Sequence, residues 1–285
     1  MKAIMLTEHG DAGGESLPSF SLQDLPDPQI GPDQILVDVR AAGVNPADPR
    51  LSGGEIPGWD VAGVVVATGP QVQNFVVGDE VYACAQSTYA ERAAVAERDA
   101  VHKPAALSFV EAAAVPLAAL TALQALRAAG TGEGDVVLVH GASGGVGHFA
   151  VQIARALGAE RVLGTAPDAD HEFLRELGAE PVEAPAEPVD VALDLRGGAA
   201  TEQALQQVKD PARAVSTVAG QRITDGGGRF VAPEPDLDGL RWLADLADKG
   251  RLRVNLHREL PLAEAADAHR LVESGHVRGK VVLTP

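Results

Sequence analysis

Gly134-Asp135-Val136-Val137-Leu138-Val139-His140-Gly141-Ala142-Ser143-Gly144-Gly145-Val146-Gly147 is the stretch that decides how this chain folds. Asp135 to His140 is an apolar run without alternation, the pattern of a strand buried on both faces. Closely spaced glycines follow it, and then an amphipathic segment from Val146 to Leu157 with helical spacing. Glycine lets the chain turn tightly, lets backbone approach a pyrophosphate, and lets a helix pack close to its strand. The helix N-terminus adds unpaired N–H groups and the positive end of its dipole. A glycine-rich turn by itself is compatible with a merely structural loop. Set between a buried strand and a helix in a βαβ unit, it favours dinucleotide binding.

The pattern repeats outward from there. Strands are expected at Arg161 to Thr165, Val189 to Leu195, Arg213 to Ala219 and Arg229 to Ala232, with helices at His171 to Leu177, Thr201 to Val208 and Leu237 to Leu246. Strand–helix repetition implies a parallel, doubly wound sheet. Upstream, Ser108 to Ala129 is Ala/Leu-rich and opened by a Ser108/Glu111 capping box, and Pro116 within it implies a kink or a break into two helices. Before Lys103-Pro104 the chain reads as short strands: Gln34 to Val39, Val61 to Ala67, and two segments flanking the Gly78-Asp79 turn, Val76-Val77 and Val81-Tyr82. A strand near Arg253 to Leu260, a helix from Leu262 to Ser274 and a strand from Lys280 to Thr284 follow the doubly wound part. The expected plan is an α/β chain in which a doubly wound domain, 105–255, is inserted into a β-rich domain made of 1–104 plus 256–285.

Composition narrows the function. The 285 residues are 46% hydrophobic and 22% charged, which suits a globular protein with ample core. Forty acidic against 23 basic side chains give a formal charge of −17, which disfavours nucleic acid and anionic membrane as partners. No apolar run approaches the roughly 18 residues of a membrane-spanning helix, and the N-terminal apolar stretch is too short for a signal peptide. A cytoplasmic location is expected. The single cysteine, Cys84, rules out an intramolecular disulfide and any thiolate-rich zinc site.

The glycine-loop residues also carry a family resemblance. Gly134-Asp135, Leu138, Ala142-Ser143-Gly144-Gly145, Gly147, Gln152 and Arg155 resemble the signature of quinone oxidoreductases and zeta-crystallins, within the medium-chain dehydrogenase/reductase superfamily. The likeness extends to Ala41 to Asp48, Pro57 to Gly63, Val77 to Val81, Leu120-Thr121-Ala122 and Gly275 to Leu283, and so covers nearly the whole chain. It implies a Rossmann domain inserted into a GroES-like catalytic domain, and reduction of a small molecule by a nicotinamide cofactor. Zinc-using relatives carry a Cys, and further on a Gly-His-Glu stretch. Asn45 and Gly58-Trp59-Asp60 stand at those places here, which resembles the zinc-free branch. The eight histidines are scattered with no ligand spacing, and His140 and His148 read as structural. No metal is expected. Without a Lewis acid, alcohol oxidation is difficult, whereas a quinone or enone needs only positioned hydride and oxyanion stabilisation.

The second strand of the doubly wound part ends Gly164-Thr165-Ala166, without the carboxylate that grips the ribose of NAD. NADPH is therefore the expected cofactor. Asp168 would oppose a 2′-phosphate if it faced inward, and Arg161, His171 and Arg175 are the candidate cations. The resemblance places Asn45 and Asp48 at the catalytic end, and Asn45 and Thr121 beside the nicotinamide. It places Ser143, Gly144, Gly145 and Val146 on the pyrophosphate, and Thr165 at the adenosine ribose. A self-bonded Asn-Pro turn is the alternative for Asn45 and Asp48, and a bond back to its own helix the alternative for Thr121. Lys280 reads as solvated. Relatives carry an aromatic just after Asp48 where this chain has Pro49-Arg50, and Leu51 to Ile56 is shorter than theirs, which should open or reshape the substrate pocket. Against the same relatives the segment Pro181 to Pro188 is abbreviated, and a helix of the Rossmann domain is expected to be missing there. The expected activity is reduction of a quinone or enone. An enoyl-thioester reductase and a redox-silent NADPH-binding protein stand as alternatives. A homodimer pairing through Gly228 to Val231 is expected from the same resemblance.

Overall fold

A computed structural model describes residues 1–7, 19–51 and 56–285. They form two compact units: Met1–Leu117 with Pro235–Asp248 and Leu256–Pro285, and Ala118–Glu234 with Lys249–Asn255. Residues 105–117 and 235–248, read from sequence with the inserted domain, pack with the β-rich unit instead.

In the first unit β1 (Lys2–Thr7) and β2 (Ser19–Asp24) pair antiparallel. The larger sheet is built on β3 (Gln34–Val44), which α1 (Asp48–Leu51) follows, with β4 (Asp60–Thr68), β5 (Glu80–Cys84), β6 (Arg92–Ala96) and β7 (Ala100–His102). From Gln34 to Val39 alternate residues of β3 are buried, so Ile35, Val37 and Val39 enter a core with Val61, Val65 and Val81. Each such side chain contributes roughly 1.5–3 kcal/mol by leaving water. Val76 and Val77 are not a strand. They lie 66% and 64% exposed in a turn where the Val76 N–H donates to Asp79 Oδ2 and Gly78 takes a φ of 100°. The Asp side chain and the left-handed glycine bend the chain before pairing can start.

The Ala/Leu-rich segment divides at Pro116 into α2 (Phe109–Ala113) and α3 (Pro116–Ala128). Ser108 and Glu111 close both halves of the capping box on α2. Proline, lacking an N–H, takes the first position of α3, where no helical partner is needed.

The second unit holds β8 (Val136–His140), α4 (Gly147–Ala156), β9 (Arg161–Thr165), α5 (His171–Leu177), β10 (Glu180–Pro181), β11 (Val191–Asp194), α6 (Ala199–Gln207), β12 (Ala214–Ser216), α7 (Gly220–Asp225) and β13 (Arg229–Phe230). Its sheet is all-parallel in the order β10-β9-β8-β11-β12-β13. Counted from β8 this is the doubly wound dinucleotide-binding order, with the switch of direction between β8 and β11. The β10–β11 connection carries no helix, as the short Pro181–Pro188 segment implies.

The chain then returns to the first unit with α8 (Leu237–Asp248), β14 (Leu256–Pro261), α9 (Ala265–Glu273) and β15 (Lys280–Thr284). The sheet there runs β14-β15-β3-β4-β5-β7, with β6 also on β3. Val281, Val282 and Leu283 lie antiparallel to Val44, Gly43 and Ala42. That register brings the start of β15 to the end of β3.

Candidate active site

Where β3 ends, a buried polar cluster begins. The Asp48 N–H donates to the Asn45 carbonyl at 3.1 Å, closing a turn that returns the Asp48 carboxylate to Asn45. Asp48 Oδ2 accepts from the Asn45 N–H at 2.9 Å, and Oδ1 from Asn45 Nδ2 at 3.2 Å. Asn45 Nδ2 also donates to Asp60 Oδ2 at 2.8 Å, across the β3–β4 pair. Lys280 Nζ donates to the Val44 carbonyl at 2.9 Å and to Asn45 Oδ1 at 2.5 Å, and stands 3.7 Å from Asp60 Oδ2. An ammonium only donates, so the amide atom facing it is the oxygen, and both Nδ2 hydrogens are then spent on carboxylates. Asp60 Oδ1 accepts from the Leu117 N–H at 2.6 Å. Tyr89 OH lies 2.6 Å from Asp48 Oδ2 and 3.1 Å from His269 Nε2.

Burial dominates the electrostatics here. Asp48 and Asp60 are fully buried, Lys280 is 3% exposed and Asn45 6%. Burial and the neighbouring Asp60 charge push the Asp48 carboxyl up to about 7, against the bonds from Tyr89 and Asn45 and the Lys280 charge. Burial also raises Asp60, with Lys280 opposing, and lowers the Lys280 ammonium, with both aspartates opposing. Burial, then Asp48, drives the Tyr89 hydroxyl well above its usual range, and burial takes His269 down to about 4. The expectation of a solvated Lys280 is thus overturned: β15 is buried from Lys280 to Leu283, and two aspartates retain the charge. Tyr82 donates to the Leu240 carbonyl at 2.6 Å and is a structural tyrosine.

A cavity of about 540 Å³ lies in the same unit, lined in part by Ile56, Trp59, Cys84, Gln86 and Ser87. Ser87 takes a φ of 62°, the single positive value among the described non-glycine residues. Two arginines on the wall, Arg92 and Arg98, are paired with Asp27 and Asp33. Most of the shortened Leu51–Ile56 stretch, 52–55, lies outside the described residues.

In the second unit the Gly141–Val146 loop links β8 to α4. The Ala142 N–H donates to the Thr165 carbonyl at 3.0 Å and the Gly141 N–H to Thr165 Oγ1 at 3.3 Å, so the loop is tied to the end of β9. A Cβ on Gly147 would stand 2.1 Å from the Gly141 carbonyl oxygen, so only glycine lets α4 approach the loop. No side chain caps α4 and no acid occupies its first turn, which leaves a helix N-terminus suited to an anion. Ser143 is buried and Gly144, Gly145 and Val146 half-buried along this loop. These residues fit a pyrophosphate. Thr121 is buried on α3 in this unit, and His148 sits with Nδ1 3.0 Å from the Gly144 carbonyl. The three cations proposed for a 2′-phosphate all have carboxylate partners: Arg161 with Glu180, Arg175 with Glu172, and His171 with Asp168. The Asp168 side chain is 99% exposed and faces solvent.

The residues at the zinc-ligand places do not suit zinc. Asn45 offers a neutral amide oxygen where zinc-using relatives have a thiolate, and Trp59 offers no ligating atom. Among the described residues no three His, Cys, Asp or Glu side chains are grouped to hold a metal ion.

Comparison with known proteins accords with both units. Residues 31–124 match the alcohol dehydrogenase GroES-like domain, and residues 157–283 match a zinc-binding dehydrogenase family. The chain is 34% identical to the 2-methylene-furan-3-one reductase of Solanum lycopersicum, over all of this chain and 79% of that protein. It is 32% identical to the NADPH-dependent alkenal/one oxidoreductase of Arabidopsis thaliana, over all of this chain and 80% of that one. The solved quinone oxidoreductase from Coxiella burnetii superposes with a TM-score of 0.88 at 33% identity, over 100% of this chain and 99% of that one. The fold and the site thus define an oxidoreductase with a nicotinamide-cofactor domain. The chain belongs to the medium-chain dehydrogenase/reductase superfamily, in its quinone oxidoreductase-like branch.

Proposed function

We propose that this chain reduces a small, uncharged conjugated carbonyl compound, a quinone or an α,β-unsaturated ketone or aldehyde, with NADPH and without a metal. The observation that carries this reading is the Lys280–Asn45–Asp48–Asp60 network, a preorganised polar site built where zinc-using relatives place ligands. NADPH supplies the hydride, and the substrate's polarised double bond accepts it. With both Nδ2 hydrogens engaged, Asn45 offers the second lone pair of Oδ1, an acceptor suited to a carboxamide N–H. Thr121 serves the same end of the cofactor. Ser143, Gly144, Gly145 and Val146 hold the pyrophosphate and Thr165 the adenosine ribose. Strand β9 ends Gly164-Thr165 with no carboxylate on it, and Asp168 beyond it pairs with His171, which supports NADPH over NADH.

The charge balance favours a neutral substrate over an enoyl thioester on a polyanionic carrier. The chain carries a formal charge of −17, which opposes a polyanionic carrier. A cytoplasmic location belongs to the same reading, and no helix among the described residues is long and apolar enough to cross a membrane. So does a homodimer formed at β13, an edge strand whose Phe230 is 44% exposed.

One substrate panel tests the reading. NADPH consumption is followed with a benzoquinone, an enone and a crotonyl thioester, with NADH in parallel. Turnover of the quinone or enone, faster with NADPH, is the expected result. Thioester turnover alone, or binding without turnover of any of the three, would replace it with the corresponding alternative.

A further inference from the structure

Three groups of the buried cluster stand in line: Asp48 Oδ2, the Tyr89 hydroxyl and His269 Nε2, at 2.6 and 3.1 Å. A phenol has one hydrogen to donate, so the line has a direction. With Asp48 ionised, the Tyr89 O–H donates to Asp48, and the Tyr89 oxygen accepts from His269 Nε2–H. With Asp48 protonated, its O–H donates to the Tyr89 oxygen, the Tyr89 O–H donates to His269 Nε2, and the imidazole hydrogen is on Nδ1. Going from the first state to the second takes up one proton. It arrives at Nδ1, the Nε2 hydrogen passes to Tyr89, and the Tyr89 hydrogen passes to Asp48. His269 Nδ1 is buried and has no partner among the described residues, so the second state leaves a buried N–H unpaired where the first leaves only a lone pair, and this cost opposes protonation of Asp48. Burial holds the imidazole neutral, which keeps both tautomers available.

The direction of the line reaches Asn45. An ionised Asp48 makes charge-assisted bonds to the Asn45 N–H and Nδ2, and a protonated one makes neutral bonds of about half that strength. The groups facing Asp48 are Asp60 from β4, Lys280 from β15, Cys84 from β5, Tyr89 from the segment after β5, and, through Tyr89, His269 from α9. Phe20 of β2 stacks on the His269 ring at 4.5 Å and fixes its plane.

We infer that Tyr89 and His269 are positioning residues for Asn45, acting through Asp48 as a reversible hydrogen-bond line whose direction sets how firmly the Asn45 amide is held. The inference rests on the proposed role of Asn45 at the nicotinamide. Its test therefore starts with a measurement that needs no catalysis.

In the full-length protein without cofactor, the Asp48 carboxyl carbon and the His269 ring nitrogens are followed by NMR from pH 5 to pH 9. The expected result is one shared midpoint, with His269 passing from the Nδ1–H tautomer below it to Nε2–H above it. A single His269 tautomer across the range overturns the line, and this needs no variant. Two variants then test direction. Tyr89→Phe removes a bond that favours ionised Asp48, so the Asp48 midpoint rises and His269 ceases to follow it. His269→Phe keeps the ring against Phe20 but leaves the Tyr89 hydrogen without an acceptor when Asp48 is protonated, so the midpoint falls. Opposite shifts of about half a pH unit or more each are expected. Shifts in the same direction overturn the line. In turnover of an enone with NADPH, the pH midpoint of kcat/KM should move with the Asp48 midpoint in both variants. A turnover midpoint that stays fixed while the NMR midpoints move overturns the positioning role alone. Whether the chain reduces enones at all is read separately, from the substrate panel.

Discussion

Replacing Lys280 by methionine removes a buried charge while keeping most of the side chain's length and volume, so little cavity is left. The variant loses three contacts at once: the bonds to the Val44 carbonyl and Asn45 Oδ1, and the ion pair at 3.7 Å to Asp60. Two carboxyl groups then face each other across Asn45 without a cation. Removing one partner of a buried pair costs about 3–5 kcal/mol, because the other charge is stranded. The loss depends on pH with a definite sign. Without Lys280, which lowers it, the Asp60 carboxyl rises further above its unfolded value. The folded variant then binds a proton that the unfolded chain releases in the ordinary carboxylate range. Stability therefore falls as pH rises from that range through the raised folded value, and the deficit against wild type is larger at pH 8 than at pH 5. Both tryptophans, Trp59 and Trp242, lie in the first unit, so urea unfolding followed by tryptophan fluorescence reports that unit selectively. A loss below about 1 kcal/mol at pH 8, or an equal loss at both pH values, would refute the buried-cation account, since a solvated lysine contributes on that scale.

Two further outcomes follow from the second unit. Gly145→Val should weaken NADPH binding at least tenfold, about 1.4 kcal/mol, because a side chain intrudes where backbone meets phosphate; unchanged affinity with a lowered melting temperature would show a purely geometric glycine. Light scattering at micromolar concentration should give the mass of two chains, and Phe230→Lys on the edge strand should yield one; a wild-type monomer contradicts the proposed pairing.

How legible each part was in the sequence follows from the kind of signal it leaves. Strand β8 and the glycine loop are local, and a run buried on both faces followed by obligatory glycines has few other readings. The break at Pro116 and the Ser108/Glu111 cap are local too. Strand β10 escapes notice because two residues, one a proline, show no periodicity, and α7 escapes because Ile223 is its one buried apolar side chain. Val76-Val77 misleads because β-branched residues look like strand where the Asp79 side chain has already made a turn. In the site, Asn45 and Asp48 are visible through resemblance, but their setting is not. Tyr89 and His269 are 180 residues apart in sequence, and no pattern in either neighbourhood points to the other. Lys280 did leave a signal: a lysine opening the apolar run Val281-Val282-Leu283 joins a buried strand, where a charge persists only with partners. Arg161 was offered to a cofactor phosphate, but Glu180, 19 residues later, takes its guanidinium.

The interrupted course of the first unit bears on how the protein is made. A ribosome releases residues 1–117 early, yet the cation that neutralises Asp60 sits at position 280. During translation the stretch from Ala118 to Glu234 can finish its own sheet, while the nascent β3–β4 pair still carries uncompensated carboxyls. Those carboxyls remain hydrated or protonated until β15 emerges and docks on β3. A chain stopped short of position 280 would lack both the sheet's closing strand and the charge, and should be recognised as unfinished by proteases that sample incompletely folded chains.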